Sequence, residues 1–553
     1  MRMGASRAID ADASQDQTLT FAIVEALRAR ARVIAPLLLV SITGLTLLFL
    51  ATPYGLGVSP DSTQYLSAAE HLLRGDGLRV HWWDEGAQPF THFPPGFALS
   101  LSFLTGLGLT ADTSARLING MALLISAFLA YALTRKASGS VTAGLFGAAA
   151  VVLARDFLAA HAMIWSEPVF LALMLGALLA TTRAVESGRM APVFVGAVLV
   201  GIAGLTRYVA PAVMGACALA LLAAGTTSLR TRIQRSFAFG VVAALPLAAL
   251  MVFNASRAGA ATNRQLAFHP PGGAEFKSAV GTAYYWVMPL QMPLWVRFVV
   301  FVAVGWGWVF FVRSIMRSRG AGLQVPAEAR YTRTVLALCC GCYLAFLLLS
   351  LTLFDAQSTP DRRLLLPVVP VLTILVVAGL SDAIRVPARR RASIALGAVL
   401  SIALVVSAAQ WIVGSRRDGL GYSAPVWKQS ALIAAVRSMG PNTTIFSNAP
   451  GAILFHTGRE VLGIPRLANP NTLQRYAQFD ERMAIVCKQS ESRTIAYVHF
   501  TVEDSEWFLP TLADVRQRWR TVPRLVAPEG VLEVVPAGCA PHGTEPPGQN
   551  GRF

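Results

Sequence analysis

Residues 33–52 read VIAPLLLVSITGLTLLFLAT, a run without a charged side chain, and the polar segment Pro60-Asp61-Ser62-Thr63-Gln64-Tyr65 follows it. About 20 apolar residues in a helix cross the hydrocarbon core of a bilayer. Asp61 is therefore expected where a loop meets the membrane surface. Ionisable groups at such a place are costly unless they are paired or used, so this acid is our first candidate for chemistry at the interface.

The composition of the whole chain is that of a multi-pass membrane protein. Of its 553 residues, 54% are hydrophobic and only 14% are charged, and the mean hydropathy is +0.53. Few soluble proteins combine so much apolar content with so little charge. The runs of span length predict about 11 transmembrane helices, at 33–52, 113–134, 141–160, 168–184, 191–206, 209–225, 236–254, 294–312, 334–354, 364–382 and 392–413.

The distribution of charge predicts the orientation and excludes nucleic acid as a partner. The net charge is +17, but the basic residues are spread among loops and form no cluster with interleaved aromatic residues. With residues 1–32 in the cytoplasm, the inside loops carry more lysine and arginine than the outside loops, as the positive-inside rule requires. The chain is expected in the inner or plasma membrane, with residues 33–413 as its transmembrane domain.

The first extracytoplasmic loop is predicted at 61–112, and it contains an apolar piece that we do not count as a span. Residues 94–109 begin with Pro94-Pro95-Gly96 and are short for a crossing. A juxtamembrane or re-entrant helix fits them better. Counting them as a full span would reverse the orientation of everything that follows.

The C-terminal part changes character and predicts a separate extracytoplasmic α/β domain at 415–540. Helical spacing appears at 426–439, and four short runs have the pattern of strands: 443–447, 452–456, 494–500 and 531–535. Cys487 and Cys539 fall in this domain, where an oxidising compartment would allow a disulfide. Residues 541–553, rich in Gly and Pro, are expected to be disordered.

Under this topology, polar groups from distant stretches face the same external side. They are Asp61 with its loop, His161 with the Ser166-Glu167-Pro168 turn, Thr206-Arg207-Tyr208, the loop 255–293, and Asp361-Arg362-Arg363. Each group alone has a structural explanation. Asp61 would cap a helix, and Glu167 would be stabilised by the dipole at a helix N-terminus. Arg207 would extend its charged end towards the membrane surface, and Arg362 and Arg363 would bind any lipid phosphate. Their combination is more specific.

These motifs resemble the GT-C glycosyltransferases, polytopic enzymes that use polyprenyl-phosphate sugars. The resemblance rests on Pro60-Asp61-Ser62 with Tyr65, Thr91-His92-Phe93-Pro94-Pro95-Gly96, Ser166-Glu167-Pro168, Leu205-Thr206-Arg207-Tyr208 and Asp361-Arg362-Arg363-Leu364-Leu365-Leu366-Pro367. It covers roughly residues 30–385 and is closest to the lipopolysaccharide galacturonosyltransferase branch. Protein O-mannosyltransferases and aminoarabinose transferases are more distant, since the Asp-Glu pair of the former and the Lys-Pro motif of some of the latter are missing.

The resemblance implies roles for these residues. Asp61 is the catalytic carboxylate, and Glu167 takes the place of a second acid. In our mechanistic hypothesis Glu167 orients the acceptor or holds a divalent metal ion together with Asp61. Three arginines are expected to bind the donor phosphate: Arg207, Arg362 and Arg363. Four further residues are expected to contact substrate: Tyr65, His92, His161 and Tyr208.

The expected function is transfer of a hexosyl or pentosyl group from a polyprenyl-phosphate donor to an extracytoplasmic glycan, lipid or protein, with inversion at the sugar. A transporter or lipid flippase is the first alternative, and it predicts ionisable groups along the middle of the spans. A scaffold protein is the second, and it would tolerate neutralisation of Asp61 and Glu167 together.

Overall fold

The computed structural model describes residues 33–539 apart from 83–85, 226, 263, 288–292, 294, 297, 300–301, 303–305, 307–325, 355–357 and 504–505. The predicted cytoplasmic segment 1–32, the predicted disordered tail 541–553 and most of the predicted span 294–312 lie outside the described residues.

The described residues up to 418 form helices and one small hairpin, as the apolar composition predicts. Its helices are α1 (Val33–Ala51), α2 (Pro60–Arg74), α3 (Gly96–Gly106), α4 (Ala111–Ser138), α5 (Val141–Leu153), α6 (Arg155–His161), α7 (Glu167–Ser187), α8 (Met190–Gly204), α9 (Ala210–Ala223), α10 (Leu229–Ala258), α11 (Gly273–Val287), α12 (Ala327–Leu353), α13 (Val368–Arg385) and α14 (Pro387–Asp418). Between α2 and α3, the antiparallel hairpin consists of β1 (Arg79–Trp82) and β2 (Gly86–Pro89).

Seven of these helices are long and apolar enough to cross a membrane: α1, α4, α7, α10, α12, α13 and α14. The α5–α6 pair would make an eighth, but it bends by 60° at Ala154. The predicted continuous span 141–160 is therefore broken, where Arg155-Asp156 interrupts the apolar run. Two further predicted spans, 191–206 and 209–225, correspond to the shorter helices α8 and α9. The chain is a multi-pass membrane protein, and the described part does not confirm the count of eleven.

The helix α3 is eleven residues long, which is too short to cross a bilayer alone. It begins against the turn between α8 and α9, where the backbone N–H of Gly96 donates to the carbonyl of Leu205 over 2.6 Å. A Cβ at residue 96 would collide with that carbonyl, so only glycine allows the approach. This contact places the end of the loop that carries His92 beside Leu205, and Arg207 and Tyr208 follow Leu205 closely in the chain.

The main hydrophobic core lies between α4, α5, α7, α8, α9, α12 and α13. The helix α7 is the most enclosed of the long helices, with 78% of its apolar window buried. Close approach depends on small residues, as is usual between membrane helices: Gly147 of α5, for example, lies against Thr134 of α4. Glu167 is the first residue of α7, so the core fixes the position of this acid.

The C-terminal part contains a five-stranded mixed sheet in the order β4-β3-β5-β7-β6, in which β3 is parallel to β4 and β5, and β7 is antiparallel to β5 and β6. Its elements are α15 (Pro425–Lys428), α16 (Ala431–Ser438), β3 (Thr444–Ser447), α17 (Pro450–Thr457), β4 (Leu462–Gly463), α18 (Phe479–Gln489), β5 (Ile495–Phe500), a 3-10 turn (Thr501–Glu503), α19 (Leu512–Trp519), β6 (Val522–Ala527) and β7 (Gly530–Val535). Cys487 and Cys539 form a disulfide.

Two local predictions in this part were wrong. Residues 452–456, predicted as a strand, lie in the helix α17, because Pro450 suits a first helical turn and Gly458, with φ of +67°, ends the helix. The predicted helix 426–439 is two helices, since Ser430 caps the second one by accepting from the N–H of Ile433.

Three short segments, residues 56–58, 162–164 and 421–423, are joined by two isolated parallel bridges, which together we call the ladder. Gly57 pairs with Met163 on one side, and Val58 pairs with Gly421 on the other. The backbone bonds are Gly57 N–H to the Ala162 carbonyl (2.8 Å), Ile164 N–H to the Gly57 carbonyl (2.9 Å) and Tyr422 N–H to the Val58 carbonyl (2.7 Å). The ladder ties the start of α2, the start of α7 and the C-terminal domain together.

Gly421 provides a test of this ladder. Its φ is +52°, and a Cβ there would meet the backbone of Val58. Gly458 has a similar φ of +67° but open space around it. Both Gly→Ala changes should cost roughly 1–2 kcal/mol for the left-handed backbone, and Gly421→Ala should cost more because Val58 has to move. Thermal unfolding in lipid nanodiscs measures the difference. Equal melting temperatures for Gly421→Ala and Gly458→Ala would contradict the ladder.

Candidate active site

Asp61 lies in the first turn of α2, but it is not the cap of that helix. Ser59 takes that role: its hydroxyl accepts from the N–H of Ser62, and the Ser62 hydroxyl accepts in turn from the N–H of Ser59. The structural explanation of Asp61 as a cap is therefore wrong. Its carboxylate instead pairs with the guanidinium of Arg363 through Oδ2 and Nη1.

Glu167 is almost fully buried, with 1% of its surface exposed. Its Oε1 accepts from Arg363 Nε and pairs with Arg207 Nη1 over 2.5 Å. A buried carboxylate needs such partners, because an isolated buried charge costs several kcal/mol. Its second oxygen, Oε2, has no hydrogen-bond partner among the residues that the structure describes. This buried oxygen therefore retains capacity to accept a hydrogen bond.

Arg363 bridges the two acids and also stacks on an aromatic ring. Its guanidinium carbon lies 4.3 Å from the ring centroid of Trp165, whose Nε1 donates to Ser59 Oγ over 2.8 Å. Burial alone would lower the pKa of Arg363, but the carboxylates of Glu167 and Asp61 raise it above its usual value. The arginine is a fixed positive charge between two negative ones.

The turn before α13 gives Arg363 its direction. Asp361 Oδ1 accepts from the backbone N–H groups of Arg363 (3.0 Å) and Leu364 (2.9 Å). This side chain-to-backbone turn is typical of Asp at a helix start. Tyr343 of α12 closes it from the other side by donating to the Leu364 carbonyl over 2.7 Å.

The two predicted tyrosines border the cluster. The Tyr65 hydroxyl lies 3.0 Å from Ser166 Oγ, next to Glu167 in the chain, and burial raises the pKa of Tyr65. The Tyr208 hydroxyl donates to the Thr91 carbonyl over 2.8 Å, and burial raises its pKa to about 12. Tyr65 therefore positions the second acid, while Tyr208 fixes the loop that holds His92.

The two predicted histidines differ from the acids in their surroundings. His161 is fully buried, its Nδ1 bonds the Phe157 carbonyl over 2.7 Å, and its ring lies 4.2 Å from that of Phe157. These contacts within α6 match the structural explanation. His92 packs edge-on against Phe93, with 4.6 Å between the two ring centroids. A substrate role for either histidine remains a prediction.

A divalent metal does not fit the two acids as they stand. Asp61 and Glu167 share the guanidinium of Arg363, which takes the position between them that a shared cation would need. Within the described ranges, no group of three His, Cys, Asp or Glu side chains is arranged to hold a metal ion. We therefore derive no chemical step through a metal.

The third predicted arginine belongs to a different cluster. Arg362 stacks on Tyr285, with 4.6 Å from its guanidinium carbon to the ring centroid. Its charge acts on Arg155 and Asp156 of α6, and Asp156 Oδ2 accepts from Trp286 Nε1 over 2.9 Å. Our sequence analysis missed Arg155 and Asp156. The signal was available, because two adjacent charges inside an apolar run are rare and functional by default.

The structure resembles solved membrane glycosyltransferases. ArnT from Cupriavidus metallidurans in the apo state superimposes with a TM-score of 0.58 and 12% identity, covering 92% of this chain and 99% of that one. The same protein bound to undecaprenyl phosphate gives 0.52 and 13%, with the same coverage. AglB, the oligosaccharyltransferase of Archaeoglobus fulgidus, was solved with an inhibitory peptide and a dolichol-phosphate. It gives 0.50 and 12%, covering 85% of this chain and 70% of that one.

No protein-family model and no curated protein matches the sequence. The expected likeness to GT-C proteins is confirmed for the fold, while the galacturonosyltransferase branch stays a prediction. The apolar helices and these superpositions together identify the chain as a multi-pass membrane protein with the fold of the GT-C proteins ArnT and AglB.

Proposed function

We propose that this protein is a membrane glycosyltransferase that moves a sugar from a polyprenyl-phosphate donor to an extracytoplasmic acceptor. The observation that carries the proposal is the cluster of Asp61, Glu167, Arg207 and Arg363, assembled from four distant stretches in a GT-C fold. Lipid carriers accompany two of the similar structures, ArnT with undecaprenyl phosphate and AglB with dolichol-phosphate. The transferred group is a hexosyl or pentosyl unit.

Asp61 is the general base of this proposal. The acceptor hydroxyl oxygen attacks the anomeric carbon, its proton passes to the Asp61 carboxylate, and the bond from that carbon to the phosphate oxygen breaks with its electron pair. One displacement inverts the configuration of the sugar. A positioned base contributes about 10²–10⁴ in rate. Because Ser59 caps α2, this carboxylate is not needed to cap the helix.

Glu167 and the arginines hold the geometry around the base. The buried charge of Glu167 is compensated by Arg207 and Arg363, and the stacked Trp165 prevents Arg363 from turning away. The vacant Oε2 of Glu167 can accept a hydrogen bond from a second hydroxyl of the acceptor or the sugar. In this proposal Arg207 and Arg363 form ion pairs with the carboxylates of the site, in place of their expected role as phosphate ligands.

A transporter or flippase remains the second candidate because of one observation. The α5–α6 pair is a broken apolar helix with Arg155 and Asp156 at the break, and broken helices with charged groups occur at the substrate sites of transporters. Counterflow of labelled lipid phosphate in proteoliposomes, without a sugar product, would favour that function. A glycosylated product would exclude it as the main activity.

The first experiment identifies the product and then removes the base. Membranes are incubated with a panel of labelled polyprenyl-phosphate sugars, and the modified acceptor is identified. With that pair, Asp61→Asn should reduce turnover by about 10²–10⁴, because the amide cannot accept the proton. Asp76→Asn, an exposed acid just after α2, is the matched control and should keep full turnover. Wild-type turnover by Asp61→Asn would refute the base assignment.

The second experiment tests the bridge. Arg363→Gln removes the charge shared by Asp61 and Glu167, and breaking a buried pair costs roughly 3–5 kcal/mol. We expect a lower melting temperature together with loss of turnover. Arg74→Gln, which breaks the exposed pair with Glu70 in α2, should change neither.

A double-mutant cycle sharpens the test of the bridge. In Glu167→Gln/Arg363→Gln the acid that needed compensation is gone, so the destabilisation should be clearly smaller than the sum of the single changes. Additive effects would show that the two side chains do not interact, and the proposed arrangement of the site would then be wrong.

A further inference from the structure

The segment between α10 and α11 passes over the end of α12, a helix that is long and apolar enough to cross the membrane. The backbone N–H groups of Ala267 and His269 each donate over 2.8 Å to a carbonyl in the last turn of α12. The alternate residues, Leu266 and Phe268, have largely exposed side chains. Near its end α12 also exposes Leu349, as expected of a span that faces lipid. Leu266 and Phe268 are therefore expected at the level where the bilayer surface begins.

A loop of the C-terminal domain, residues 467–476, touches this segment. Asn469 Nδ2 donates to Gln265 Oε1 over 3.4 Å. The loop is closed by its own backbone, since the N–H of Asn469 donates to the carbonyl of Gln474 over 2.8 Å and the N–H of Leu473 donates to the carbonyl of Asn469 over 2.9 Å. Leu473 is therefore bonded through its backbone to the residue that makes the contact with the membrane part of the molecule.

The tip of the 467–476 loop holds Leu473 in an unfavourable backbone conformation. Its φ is +59°, in the left-handed region, where glycine or asparagine is less strained than leucine. Its side chain is 49% exposed, so about half of it takes no part in packing. A single exposed leucine is ordinary, but strained positions are frequent where a ligand or surface is contacted. A further contact of the side chain would explain why leucine stands here.

Neither of the two segments carries a charged side chain. Residues 265–268 read QLAF, and residues 468–474 read ANPNTLQ. Such segments can enter the head-group region of a bilayer without the cost of desolvating a charge. Because residues 267–269 are bonded to the end of a span, the surface next to these apolar side chains is lipid.

We propose that Leu473 inserts among the lipid head groups beside Leu266 and Phe268, so that the C-terminal domain rests on the surface of the bilayer. Apolar side chains at the boundary between head groups and acyl chains bind a membrane in proportion to the area that they bury. The ladder attaches this domain to the segment before α2, and the lipid contact is its second attachment. The inference does not depend on the reaction at Asp61, and it holds or fails whichever reaction the protein catalyses.

Spin labels measure this contact in phosphatidylcholine nanodiscs. Single cysteines are introduced into a full-length protein whose four free cysteines are replaced by alanine and whose disulfide is kept. Electron paramagnetic resonance compares collisions of each label with oxygen, which concentrates in lipid, and with a water-soluble nickel chelate. The labels of Leu473→Cys and Phe268→Cys should both collide preferentially with oxygen.

Ile485→Cys on α18 is the matched control. Ile485 is 48% exposed, almost the same as Leu473, but its neighbours on the helix face are charged or polar: Glu481, Arg482 and Lys488. Its label should therefore collide preferentially with the nickel chelate. A Leu473→Cys label that collides with the chelate as often as the Ile485→Cys label would overturn the proposal.

Leu473→Asn separates the lipid contact from the stability of the loop. Asparagine tolerates the left-handed backbone better than leucine, so a purely structural Leu473 predicts equal or slower amide exchange in residues 467–476 of this variant. The lipid contact predicts the opposite, with exchange in nanodiscs at least several-fold faster, because a polar side chain no longer holds the loop on the bilayer. Hydrogen exchange with mass spectrometry measures the difference.

Leu473→Met is the conservative variant for this experiment. It keeps a long apolar side chain, so its loop should exchange as the wild type does. Equal or slower exchange in Leu473→Asn would contradict the proposed contact, and so would exchange in Leu473→Met as fast as in a several-fold faster Leu473→Asn.

Discussion

The bridge of Arg363 between Asp61 and Glu167 is the contact on which the rest of the site depends. It joins α2, α7 and the turn before α13, three stretches that are far apart in the chain. A buried carboxylate such as Glu167 needs charged partners, so removing this guanidinium would destabilise Glu167 and would leave the half-buried Asp61 without its ion pair. Arg363 also stacks on Trp165, and Trp165 Nε1 donates to Ser59 Oγ. These contacts help to hold the Arg363 side chain in place.

The backbone ladder joins the segments that carry the two acids. Val58 precedes Asp61 by three residues, and Ile164 precedes Glu167 by three, so the pairing of residues 56–58 with 162–164 links the backbone just before each acid. The C-terminal domain joins the same ladder through residues 421–423, and Ser423 Oγ also donates to the Leu56 carbonyl over 2.6 Å. The C-terminal domain is therefore bonded directly to the segment that leads into α2.

The fold class could be predicted from the sequence, and for the site the sequence predicted which polar groups share a side. Apolar runs predicted the helical membrane domain, and the alternation of spans predicted that Asp61, Glu167, Arg207, Arg362 and Arg363 lie on the same side of the membrane. Hydropathy averages over a window, however, and so it treated 141–160 as one span and concealed the break at Arg155-Asp156. Hydropathy also does not show the direction of a side chain: Arg362 and Arg363 are neighbours in the chain, yet Arg362 stacks on Tyr285 and Arg363 pairs with Asp61 and Glu167.

The convergence of these stretches can be measured directly in membranes. In a background whose four free cysteines are replaced by alanine, Asp61→Cys and Arg363→Cys are combined and treated with a short bifunctional thiol reagent. The account predicts an efficient intramolecular cross-link, and labelling of both single cysteines by an impermeant reagent from the same side. Absence of the cross-link, with the two positions labelled from opposite sides, would contradict a shared site.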